Sequence, residues 1–131
     1  MLFTAKDLAI TAGFKTTTKF TNEMHRHGLP FGEGTRVGNS KRYDSVALAK
    51  AIIMSRLRAF RIPVAQHTDL INIIDHAALA TALHQLEAGE VECVLVGIPS
   101  WDELDDYSGV FISRDAAVKA LSEADFILID V

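Results

Sequence analysis

Apolar residues recur at helical spacing from the start of the chain. Ala5, Leu8, Ala9 and Ala12 fall three or four apart, the period that gathers side chains on one face of a helix. Thr4, with Asp7 three residues on, resembles a capping box, and Gly13 stops the run as a left-handed C-terminal residue. A second run opens on Lys15-Thr16-Thr17-Thr18, where a threonine hydroxyl can cap free amides, places Phe20 and Met24 on one face, and ends at Gly28 before Leu29-Pro30. Two short helices broken by a glycine-containing turn are predicted. From Phe31 to Tyr43 the period changes: Thr35-Arg36-Val37 and Ser40-Lys41-Arg42-Tyr43 flank Gly38-Asn39, the signature of a β-hairpin with a two-residue turn.

Asp44 or Ser45 caps a third predicted helix, with Val46, Ala49, Ile53, Leu57 and Phe60 as its buried stripe and Lys50, Arg56 and Arg58 in water. A fourth starts near Pro63 and carries Leu70, Ile71 and Ile74. Beyond His76 the pattern predicts a helix over 77–88 ended by Gly89, strands over 91–96, 110–112 and 126–129, and a helix over 115–124. The expected class is α+β: a first domain over 1–74 and a small α/β module of about three strands over 77–131.

Charge changes this picture. Overall the chain carries −4, but residues 1–63 hold eleven Lys or Arg against four Asp or Glu, a net +7, while residues 64–131 hold two against thirteen, a net −11. A basic half can neutralise phosphates and release counterions, whereas an acidic half is repelled by the same polyanion. Hydrophobic residues make up 49%, enough for a core, and no apolar run approaches the roughly 20 residues needed to span a bilayer. The first residues lack the pattern of a secretion signal and Cys93 is the one cysteine, so a cytoplasmic protein without disulfides or membrane contact is expected.

The residues Phe3-Thr4-Ala5-Lys6-Asp7-Leu8-Ala9 with Ala12-Gly13, then Gly28-Leu29-Pro30, then Lys41-Arg42-Tyr43-Asp44 and the helix from Ala47-Leu48 to Ile52 resemble, in order and spacing, the MerR-like family of winged helix-turn-helix DNA-binding domains. The resemblance covers about residues 2–74. It implies a helix-turn-helix followed by a wing that docks on double-stranded DNA. The long dimerising coiled coil and the cysteine-based sensor of many such regulators have no counterpart here, so metal or redox sensing is not carried over.

Read from their chemistry alone, Lys15, Thr16, Thr17, Thr18, Lys19 and Asn22 place ammonium, hydroxyl and amide donors near the start of the second helix, where a helix in the major groove needs them. Arg26 lies further along it. Arg36 and Lys41 fall on the hairpin, and Arg42 and Tyr43 are expected to hold phosphates. A transcriptional regulator acting as a homodimer, with no cofactor, metal or catalytic residue, is the expected function. His25 and His27 lack the spacing of a zinc site, and Gly32-Glu33-Gly34 lacks the Lys-Ser/Thr of a phosphate loop. The loop Trp101-Asp102-Glu103-Leu104-Asp105-Asp106-Tyr107 pairs two aromatics with four carboxylates and is a candidate protein-partner surface. The competing expectations are an architectural DNA-binding factor of the phage excisionase or terminase small-subunit type, and an adaptor whose basic face meets an acidic protein.

Overall fold

The computed structural model describes residues 2–28, 31, 34–38, 40–72, 74–99, 109–121 and 126–131. Helices and strands are mixed in an α+β arrangement, and the chain divides into two compact units, Met1–Asn72 and Ile73–Val131.

In the first unit, α1 spans Ala5–Thr11 and opens on a reciprocal cap: the Asp7 amide donates to Thr4 Oγ1 at 3.1 Å and the Thr4 amide to Asp7 Oδ2 at 2.9 Å. After Ala12 the chain turns at Gly13, whose φ of +87° suits a residue without Cβ. Thr16 caps α2, Thr17–His27, by accepting from the Lys19 amide at 3.1 Å, and Gly28 closes it in the left-handed region. Strands β1, Thr35–Val37, and β2, Ser40–Arg42, pair antiparallel around Gly38, with Thr35 opposite Arg42, Arg36 opposite Lys41 and Val37 opposite Ser40. Asp44 caps α3, Ser45–Ala59, and α4 runs over Val64–Asn72.

Helix α3 is the spine of this unit, packed by α1 on one side and α4 on another, with α2 reaching both α1 and α4. Leu8, Phe20, Ile53, Met54, Leu57 and Ile71 are fully buried there, each worth about 1.5–3 kcal/mol of transfer free energy. The end of α3 is closed by two bonds, Arg61 N–H to the Arg58 carbonyl and Ile62 N–H to that of Leu57. Arg61 occupies the position that glycine fills elsewhere in this chain, at φ +61°, a conformation that costs a side-chain-bearing residue about 1–2 kcal/mol.

Three expectations are corrected here. Phe60, assigned to the buried stripe, is 61% exposed, because the helix ends at Ala59 and Phe60 is already its cap. Arg58 and Lys50, assigned to water, are half-buried. Burial pushes the Lys50 amine down, and the Asp44 carboxylate opposes that shift.

In the second unit Asp75 caps α5, His76–Glu87. Strands β3 (Leu95–Pro99), β4 (Gly109–Phe111) and β5 (Phe126–Asp130) and helix α6 (Arg114–Leu121) follow. The sheet order is β4-β3-β5, antiparallel on both sides of β3. Strands β4 and β5 therefore run in the same direction, and α6, which packs on β3 and β4, carries the chain across between them. The expected strand over 91–96 is displaced: its β-branched start reads as strand, but the paired register begins at Leu95, running to Gly97 with β4 and to Pro99 with β5. Ile74, expected in the fourth helix, is buried beyond its end. Ile112 lies outside β4 and is exposed. Among the described residues no helix is long and apolar enough to cross a membrane. The loop from Trp101 to Tyr107, with Asp102, Glu103, Asp105 and Asp106, lies outside the described residues.

Candidate nucleic-acid interface

Helix α2 is sharply two-sided. Phe20 is fully buried and Glu23, Met24 and His27 are half-buried, while Thr18, Lys19, Thr21, Asn22, His25 and Arg26 are exposed. At about 100° per residue those six positions form one continuous arc of the helix surface. Aromatic packing holds the inner face: the Phe20 ring meets Phe14 edge-on at 5.4 Å and Phe31 at 5.4 Å. Across the chain, the Thr68 hydroxyl of α4 lies 3.3 Å from the carbonyls of both His27 and Gly28, tying down the C-terminal end of α2. The N-terminal end is tied by Arg58, whose Nη1 donates to the Ala12 carbonyl at 3.2 Å and whose guanidinium stands 4.3 Å over the Phe14 ring.

Of the residues predicted from sequence, Lys15, Thr18, Lys19 and Asn22 are exposed around the first turns of α2, and Arg26 is exposed near its end. Thr16 is the cap, so its hydroxyl oxygen already accepts a backbone amide. Thr17 is half-buried. The Arg26 guanidinium lies 3.9 Å from Glu23, which also approaches His27 Nε2 at 3.1 Å. That carboxylate therefore answers part of the positive charge at this end. Thr21 and His25 share the exposed arc, and the sequence reading gives neither a DNA contact; their spacing of three and seven residues from Thr18 is the available signal.

The hairpin divides its basic residues. Arg36 and Lys41 are cross-strand partners and exposed, so their side chains share one face, whereas Arg42 belongs to the opposite face with Thr35, Val37 and Ser40. Arg42 donates to Ser40 Oγ at 2.9 Å. It also helps hold the Asp7 carboxyl below its ordinary range, after the larger effect of the Thr4 backbone amide.

Tyr43 corrects an expectation. It is 5% exposed, its amide and carbonyl pair with those of Phe3 at 2.7 Å each, and Gly34 sits against its ring. It anchors the base of the hairpin in the core, its ring buried beside Gly34 and its backbone bridged to Phe3, so it is less available to a phosphate than expected.

His67 is fully buried in this unit. Its Nε2 lies 2.9 Å from the Ile62 carbonyl, and its Nδ1 has no hydrogen-bond partner among the described residues. Burial pushes its pKa down; the Ile62 carbonyl opposes this and the Arg58 charge adds to it. The unfolded chain then takes up this proton first, at about pH 6.5. The stability contributed by neutral His67 is complete above that pH and is lost as pH falls from there through the lower folded value. The urea midpoint of the wild type is expected to drop between about pH 7.5 and 5.5, and to drop less in His67→Gln; parallel profiles for the two proteins would refute the assignment.

No protein-family model matches the chain, and no curated protein is significantly similar to it.

Proposed function

We propose that residues 1–72 are a winged helix-turn-helix module of the MerR-like kind and that the protein is a sequence-specific, double-stranded DNA-binding transcriptional regulator. The observation that carries this reading is the exposed arc of α2. A helix fixed at both ends and along its inner face leaves Lys19 and Asn22 outward near its N-terminus, as a major-groove helix requires. The paired cations Arg36 and Lys41 on the hairpin fit a wing lying along a phosphate backbone. Residues 1–72 carry a net +6 and residues 73–131 a net −10. A duplex attracts the first unit and repels the second, which leaves the second for self-association in the cytoplasm or for a protein partner.

Duplexes selected from genomic DNA and random duplexes, titrated by fluorescence anisotropy across a salt series, test the reading. Lys19→Ala and Asn22→Ala are each expected to lose about 1–3 kcal/mol on the selected duplex and little on random DNA. The double variant Arg36→Ala/Lys41→Ala is expected to weaken both alike and to reduce the salt slope by roughly two. Retention of no duplex by the wild type at about 50 mM salt would overturn it.

A further inference from the structure

Arg58 is cationic, lies in the basic unit, and yet commits its guanidinium inward. Its Nη1 bonds the Ala12 carbonyl, which ends α1, and its planar group covers the Phe14 ring in the turn between α1 and α2. Phe14 meets Phe20 edge-on, and Phe20 meets Phe31, which precedes the hairpin. One unbroken series of contacts thus runs from the last turn of α3, through the turn, to the inner face of α2. Resting on the DNA-binding reading above, we infer that Arg58 is a positioning residue: it sets the tilt at which α2 presents Lys19 and Asn22, without itself touching nucleic acid.

Two constraints act together at this one side chain. A guanidinium is flat and carries its donors in a rigid fork, so it can stack on a ring and bond a carbonyl in one fixed geometry; an ammonium is a compact point charge and cannot hold both in register. The guanidinium lies against the turn, since a Cβ placed on Gly13 would be in van der Waals contact with Arg58 Nη1 at 3.4 Å. Phe20 adjoins Lys19 and lies two residues from Asn22 on one rigid helix, so a displacement of the helix where Phe20 is seated carries both. Thr68 fixes the far end of the helix, so loss of the Arg58 contacts would free the N-terminal end to tilt about it.

Wild type, Arg58→Met, Arg58→Lys and Phe14→Leu, all as the full chain, separate this role from its alternatives. Without DNA, Arg58→Met is expected to shift the amide resonances of Lys19 and Asn22 more than those of Arg36 and Lys41. With DNA, its affinity for the selected duplex falls about fivefold or more, the loss of one base contact, while affinity for random duplex and the salt slope stay at the wild-type values. Phe14→Leu, which keeps the charge, reproduces both effects, and Arg58→Lys recovers them only in part. Should Arg58→Met not fold, the other two variants carry the same readouts. A uniform loss on all duplexes with a slope lower by about one would make Arg58 a phosphate contact and overturn the inference. Unmoved Lys19 and Asn22 amides with an unchanged affinity ratio would also overturn it. A wild type that binds no duplex would sink the DNA-binding reading instead, and the amide shifts alone would then decide whether Arg58 sets α2.

Discussion

Phe20→Ala is expected to cost the first unit about 3–5 kcal/mol, the loss that follows from emptying the space of a fully buried ring. Domains of this size hold about 5–15 kcal/mol in all, so the variant is expected to leave little margin at ordinary temperature. Phe20 is not interchangeable with the other buried residues of α1 and α3, because it is the only buried position of α2 among the described residues and two further rings rest on it. Urea titration followed by far-ultraviolet circular dichroism measures the change, and Phe20→Leu, which refills most of the volume, is expected to recover more than half of it. A loss below about 1 kcal/mol for Phe20→Ala would mean that α2 is held by its ends alone.

Gly34→Ala is the second large effect expected. At φ +70° an alanine is strained by its backbone, and its Cβ would stand 2.7 Å from the Arg42 carbonyl and 3.2 Å from the Tyr43 ring. Neither neighbour can yield cheaply, because Tyr43 is buried and bonded through its backbone to Phe3. About 2–3 kcal/mol is expected, the left-handed cost plus the displacement of the hairpin base. Gly38→Ala is the internal comparison: its φ is +63° but nothing lies within 4 Å of the added Cβ, so only the conformational part, about 1 kcal/mol, applies. Equal costs at the two glycines, by urea midpoint, would show that Gly34 is not the seat of the hairpin.

Local chemistry made much of this fold readable in advance. Thr4, Thr16 and Asp44 are caps because their short oxygens reach amides three residues on, and Gly13, Gly28 and Gly38 turn the chain where the spacing places them. What sequence spacing left out depends on residues far apart in the chain. Arg58 looks solvated from its neighbours in α3; only the packing of the turn against that helix supplies Ala12 and Phe14, 46 and 44 positions earlier. An arginine stem readily hides while its head finds partners. Tyr43 differs for another reason: next to Arg42 a phenol is as ready a phosphate donor as a core residue, and only its bridge to Phe3, 40 positions earlier, shows that it is buried. In the second unit, residues 91–94 have strand composition but lie before the paired register, which begins at Leu95, while Gly97, with neighbours on both sides, and Pro99, with Phe126 beside it, are usual loop residues carried in the central strand. Pairing depends on what lies alongside, which one segment cannot report.

The face-to-face placement of Arg36 and Lys41 has a consequence for order. Two like charges set directly across a short ribbon push its strands apart, and the ribbon has just three pairs of residues to resist them. Added salt relaxes that repulsion, because both side chains are exposed. A line of anions threaded between the two side chains would convert it into shared attraction, so under the proposed reading the ribbon would be stiffer against a phosphate backbone than in water alone.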